Sequence, residues 1–104
     1  MAFHVLEQSN RLVDGYKRTF RIEGKSLLLI QEHGEVFLIE NRCPHMDAPL
    51  DTGTVTPDVA IRCRAHGIEF DLRSGRASGS MASMLDCLNR FNLVYEGTAV
   101  GVDL

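Results

Sequence analysis

The 104-residue chain has few cysteines, no long apolar run and little charge bias, and each of these shortages excludes something. Three cysteines are an odd number and cannot pair completely, which argues against a disulfide framework and for a reducing compartment. The longest apolar run, Leu27-Leu28-Leu29-Ile30, is too short to cross a bilayer as a helix, and Met1 to Asn10 has no basic stretch followed by an apolar one. A net charge of −3 gives no footprint for nucleic acid or an anionic membrane. Neither a glycine-rich phosphate loop, nor a nucleotide fingerprint, nor a Ser/His/Asp arrangement with supporting context occurs. With 44% hydrophobic and 24% charged residues, the bulk numbers point to one soluble domain over residues 1–104, expected in the cytoplasm; a monomer is expected.

Turn residues recur every eight to twelve positions, the rhythm of short antiparallel strands. Strands are predicted at Phe3–Leu6, Tyr16–Ile22, Ser26–Gln31, Val36–Glu40, Val59–Cys63, Ile68–Asp71, Arg90–Tyr95 and Ala99–Asp103. Glu23-Gly24-Lys25 and His33-Gly34-Glu35 read as tight hairpin turns, and Ser74-Gly75 as a third turn. Helical periodicity is weak everywhere, with at most a turn within Ser80–Leu88. The fold class is all-β, a small antiparallel sandwich or partly closed barrel. Asn41–Gly53, with Pro44, Pro49 and Gly53, interrupts the rhythm as a loop.

Cys43 and His45 form C-x-H, and after a gap of seventeen residues Cys63 and His66 form C-x-x-H. Two thiolates and two imidazoles in such pairs suit a tetrahedral zinc or an iron–sulfur cluster. Two loops leaving neighbouring strand ends would bring the pairs to one site. Zinc would make this a metal-stapled structural module; a cluster would make it an electron carrier.

Cys43-Pro44-His45 with Cys63-Arg64-Ala65-His66-Gly67 resembles the Rieske [2Fe–2S] motif. Phe70-Asp71 followed by Ser74-Gly75-Arg76 resembles the stretch that supports its loops, and Leu88–Leu104 its final hairpin. By this resemblance the cluster-binding part is about 41–80, Cys43 and Cys63 ligate one iron, and His45 and His66 ligate the other and form the electron exit. Two ferric ions, two sulfides and two thiolates sum to roughly zero, which raises the potential above that of an all-cysteine cluster.

Within the family, high-potential members carry an extra cysteine in each loop and hydroxyl donors after the second histidine. The matching positions here are Ala48, Ala65, Ile68 and Phe70, which implies the low end of the Rieske range. The resemblance implies a ferredoxin that takes one electron from a flavin-dependent reductase and passes it to a terminal, ring-hydroxylating oxygenase, without catalysing a reaction itself. A small redox subunit of another oxidoreductase, nitrite reductase-like, is the alternative. The family's proline-bearing loop corresponds to Gly79–Cys87, which has no proline; Cys87 stands where relatives carry one. Met81 and Met84 there would cover the site, and Cys87 is expected to be buried and inert. His4 and His33 are expected at the surface. Arg42, Arg62 and Arg64 flank the ligands, either as steering charges or as partners of acids such as Asp47, Asp51 and Glu69. Asp71 is expected to brace a loop.

Overall fold

A computed structural model describes residues 2–44, 47–65, 67–79 and 85–104. The described residues hold ten strands, one 3-10 turn and no α-helix. β1 (Phe3–Gln8), β10 (Ala99–Asp103) and β9 (Leu93–Glu96) form one antiparallel sheet in the order β1-β10-β9. β2 (Lys17–Ile22), β3 (Lys25–Glu32), β4 (Glu35–Glu40) and β8 (Arg90–Phe91) form a second, in the order β2-β3-β4-β8. β5 (Thr54–Val55), β6 (Ala60–Arg62) and β7 (Glu69–Asp71) form the third.

The four-stranded sheet is buried on both faces, and the run Leu27–Ile30 shows why. Side chains alternate across a strand, so Leu27 and Leu29 face one way and Leu28 and Ile30 the other. Leu27, Leu29 and Leu38 pack with Leu6 and Val102 of the first sheet. Leu28, Ile30 and Ile39 pack with Ile61, Phe70, Leu50 and both Cys43 and Cys63. All four residues of the run are fully buried, and each such side chain contributes roughly 1.5–3 kcal/mol relative to exposure. A one-faced strand would have alternated; this one is apolar throughout because it is the middle of three layers.

The predicted all-β, antiparallel class and most strand positions agree with the structure. The hairpin turns also agree: Glu23 and Gly24 (φ 54° and 77°) and His33 and Gly34 (φ 50° and 74°) take the left-handed pairs that a two-residue turn requires. Two boundaries differ. The predicted strand Arg90–Tyr95 is two strands, because Arg90 and Phe91 pair with β4 while Leu93–Glu96 pair with β10. The chain passes from the central to the outer sheet at Asn92, a change of partner that periodicity does not record. β5 was not predicted; two residues are too few for a pattern. Of the possible helical turn in Ser80–Leu88, residues 80–84 lie outside the described residues, and 85–88 are not helical.

Candidate metal centre

The two predicted ligand loops leave strands of different sheets. The first follows β4 and the second follows β6. Face-to-face packing of the two sheets brings Cys43 and Cys63 into one buried apolar cluster, each with no solvent exposure.

Locally the loops are twins. Asp47 N–H donates to Cys43 O at 2.7 Å, and Gly67 N–H donates to Cys63 O at 2.8 Å. Cys43 N–H donates to Ala48 O and Cys63 N–H to Ile68 O, both at 2.8 Å. Asp47 (φ 59°) and Gly67 (φ 71°) occupy the left-handed region at the corresponding step. Each loop is thus a closed five-residue turn opening on a buried thiol. All three cysteines are thiols rather than disulfides.

An ion pair ties each loop together outside. Arg42 Nη1 lies 2.8 Å from Asp47 Oδ1, with Glu40 Oε1 3.4 Å from Arg42 Nε. The hydrogen bond that Arg42 donates to Asp47, with help from Glu40, raises the Arg42 pKa above its ordinary value, so this guanidinium stays charged. Arg62 sits opposite Glu69 in the β6–β7 register, and Nη2 meets Oε2 at 2.7 Å. The arginines are exposed and their pairs screened by solvent, so the pairs orient the loops more than they stabilise them. Arg42 and Arg62 therefore have partners within their own loops, as the second of the two readings had it. Arg64 is exposed and carries no ion pair among the described residues.

Asn41 is a positioning residue that spacing gave no reason to single out. Its Oδ1 accepts from Leu50 N–H at 2.7 Å and Asp51 N–H at 2.8 Å. Its Nδ2 donates to Asp51 Oδ1 and Ser26 Oγ, and its backbone N–H to Ser26 O. One amide thereby joins both ends of the first loop to β3. An asparagine beside the motif was the available signal, but only the fold brings residues 26, 41 and 50–51 together. Gly53 is required where the loop ends, since a Cβ there would stand 2.4 Å from Arg62 O.

Asp71 braces the next turn, as expected: its Oδ1 accepts from Arg73 N–H at 2.7 Å and Ser74 N–H at 3.0 Å. Phe70 is fully buried in the cysteine cluster, and Ile68, Ala48 and Leu85 pack against it; Ala65 is exposed. His33 is exposed as expected, while His4 is partly buried with Nε2 3.4 Å from Glu23 Oε1. The expectation for Cys87 fails. It is exposed, because the chain around it lines a notch of about 210 Å³ with Glu40, Arg42, Pro44, Asp86 and Asn89 instead of entering the core. A larger hollow of about 300 Å³, lined by residues of β4, β8 and β9, includes no residue of either loop. His45, His66, Met81 and Met84 lie outside the described residues.

Two buried thiols at the mouths of twin loops, on a three-layer antiparallel scaffold, are the soft donor type that thiolate-bound metal or metal–sulfur centres use. The match to the Rieske [2Fe–2S] domain over residues 2–89 narrows this: the chain belongs to that family. It is 30% identical over 89 residues to the ferredoxin component of the alkene monooxygenase system of Xanthobacter autotrophicus (strain ATCC BAA-1158 / Py2), covering 86% of this chain and 70% of that one. It is 30% identical over 78 residues to the 3-phenylpropionate/cinnamic acid dioxygenase ferredoxin subunit of Escherichia coli (strain K12), covering 75% and 72%. Among solved structures, the Sphingomonas yanoikuyae B1 ferredoxin superposes with a TM-score of 0.82 at 25% identity, covering 99% of each chain. The cofactor is accordingly a [2Fe–2S] cluster, which decides against zinc, and the protein is a Rieske-type electron carrier. The described thiols fit such a group: they are soft donors, shielded from water, held at one layer interface. No helix among the described residues is long and apolar enough to cross a membrane.

Proposed function

We propose that residues 1–104 form one Rieske domain whose [2Fe–2S] cluster is held by Cys43, His45, Cys63 and His66, within a cluster-binding part of about 41–80. When bound, the cluster stores a single electron at low potential. The surrounding residues hold the thiols in place and keep water from them: the turn hydrogen bonds at Asp47 and Gly67 orient the loops, Asn41 anchors the first, and Phe70 and Leu50 occlude the floor. The observation that carries the reading is the pair of equivalent loops, each opening on a fully buried cysteine.

The chain is a carrier, not an enzyme. It accepts an electron from a flavin-dependent ferredoxin reductase and delivers it to a terminal oxygenase in a transient complex, as a cytoplasmic monomer. Support comes from relatives named as ferredoxin components of a monooxygenase system and of a dioxygenase, each largely spanned by this chain.

Reductive titration followed by electron paramagnetic resonance tests the reading. The purified protein is expected to be red-brown, to take up one electron per chain, and to give a rhombic signal when reduced. Cys63→Ser or His66→Cys is expected to remove the native spectrum, because cluster binding and folding are coupled. A native spectrum in either variant would refute the ligand assignment.

A further inference from the structure

Among the described residues, Glu23, His33, Asp47 and Val59 take a positive φ without being glycine. The first three are polar and exposed. Val59 (φ 60°) differs on both counts: it is β-branched, the class most crowded in the left-handed region, and it is 2% exposed. It ends the short loop between β5 and β6. Thr56 N–H closes that loop on Ala60 O at 2.7 Å, and Val59 N–H donates to Thr56 O at 3.1 Å. Three-residue hairpin loops ordinarily carry glycine at the left-handed position. The same turn holds a second penalty, since Thr56 Oγ1 is buried with no hydrogen-bond partner among the described residues.

The side chain that causes the strain belongs to the buried apolar cluster containing Cys43 and Cys63. Val59 O accepts from Leu72 N–H at 3.1 Å, which fixes the turn against the segment after β7, and Leu72 lies in the same cluster. Strained backbone persists where the surroundings over-determine it, and it gathers at functional positions. We propose that Val59 is a positioning residue for the redox centre, held in a strained conformation because its isopropyl group closes the floor beneath the two thiols to water and so keeps the potential low. The proposal rests on the function argued above, in that the thiols hold the cluster. Glycine would relieve the backbone but leave that floor open from the β5–β6 turn. Reduction adds a negative charge to a site that starts near neutral, so water reaching it stabilises the reduced state and raises the potential.

The test uses the cluster-loaded protein and sets Val59→Ala and Val59→Gly beside Val102→Ala and Val102→Gly. Val102 is 1% exposed in β10 and packs in the other core cluster, which contains neither cysteine. In an equilibrium redox titration, Val59→Gly is expected to raise the ratio of reduced to oxidised protein at a fixed solution potential roughly tenfold, about 59 mV for one electron. Val59→Ala is expected between it and the wild type, and both Val102 variants at the wild-type potential. Denaturant midpoints read the strain. In an extended strand glycine is less stable than alanine, so Val102→Gly is expected to unfold before Val102→Ala. At Val59, where glycine escapes the left-handed penalty, that gap is expected to close or reverse. An unchanged potential in Val59→Ala, the milder change, would overturn the proposal whether or not Val59→Gly retains its cluster. An equal rise in Val102→Ala would overturn it too, since general loosening would then be the cause. A gap between glycine and alanine as wide at 59 as at 102 would show that Val59 is not strained, with the same consequence. The visible spectrum of the wild-type protein tests the underlying cluster reading separately from these comparisons.

Discussion

Asp47 and Gly67 stand at the same step of two equivalent loops, each in the left-handed region and each donating its N–H to the carbonyl of the cysteine four residues before it. One loop meets this demand with glycine, the residue that suffers no steric penalty there. The other meets it with aspartate, which tolerates the region and adds a carboxylate for Arg42.

That difference predicts unequal responses to substitution. A Cβ on Gly67 would meet nothing within 4 Å, so replacement acts through the backbone alone. Gly67→Ala is expected to destabilise by about 1–2 kcal/mol, Gly67→Asn by less and Gly67→Val by more. Denaturant unfolding of the loaded protein measures the order; equal effects for Asn and Val would contradict the backbone account.

Asn41 should matter more than its position outside the motif suggests. Asn41→Ala leaves Leu50 N–H and Asp51 N–H without their acceptor, a loss of about 1–3 kcal/mol for buried or partly buried donors. The first loop loosens, so faster cluster loss is expected, read as decay of visible absorbance under a chelator. Ser26→Ala removes only the 3.3 Å contact and is expected to change little.

Phe70 and Ile68 set an expectation for potential. Phe70 is fully buried in the same cluster as Cys43 and Cys63, and Ile68 packs against it; neither has a hydroxyl to donate to sulfur. The wild-type potential is expected near the bottom of the Rieske range, about −150 mV. Phe70→Tyr is expected to raise it, because a donated hydrogen bond stabilises the more negative reduced state. An equilibrium redox titration decides; an unchanged potential would mean that the added hydroxyl finds another acceptor.

Cys87 is exposed beside Arg42 and Pro44, in contrast to Cys43 and Cys63. One equivalent of iodoacetamide is expected to label the native loaded protein, at Cys87, with the visible spectrum intact. Cys87→Ala is expected to abolish labelling. Labelling of Cys43 or Cys63 without loss of colour would be incompatible with their proposed role.

At the far side of the molecule, Glu7 gives a pH signature. A β-bulge between Val5 and Glu7 turns its carboxylate inward, where Gln8 N–H and Tyr16 O–H donate to it at 2.9 Å. These bonds, the Gln8 contact first, hold its pKa below the ordinary 4.5. A carboxylate with a lowered folded pKa stabilises above its unfolded value, and that contribution is lost as pH falls through the folded one. Glu7→Gln is therefore expected to flatten the loss of Tm below about pH 4.5, and leave a lower Tm near neutrality. An acid limb as steep as that of the wild type would exclude Glu7 as a contributor.

Spacing and residue type alone singled out Cys43, His45, Cys63 and His66 as the proposed ligand set, since soft thiolates and imidazoles in close pairs have few other uses. The turns at Glu23-Gly24 and His33-Gly34, the brace at Asp71 and the all-β class followed from local chemistry in the same way. Other features depended on tertiary structure because they join residues far apart in sequence. Packing of two sheets sets the cysteines on one floor, and Asn41 links positions 26, 41 and 50–51. The partner change at Asn92 divides a single predicted strand, and the placement of residues 85–89 leaves Cys87 in solvent. The charges divide along the same line. Their number and sign are written in the chain, but only folding pairs Arg42 with Asp47 and Arg62 with Glu69 and leaves Arg64 without an ion pair among the described residues. Identity and spacing are carried by covalent neighbours; burial and pairing arise only when layers meet.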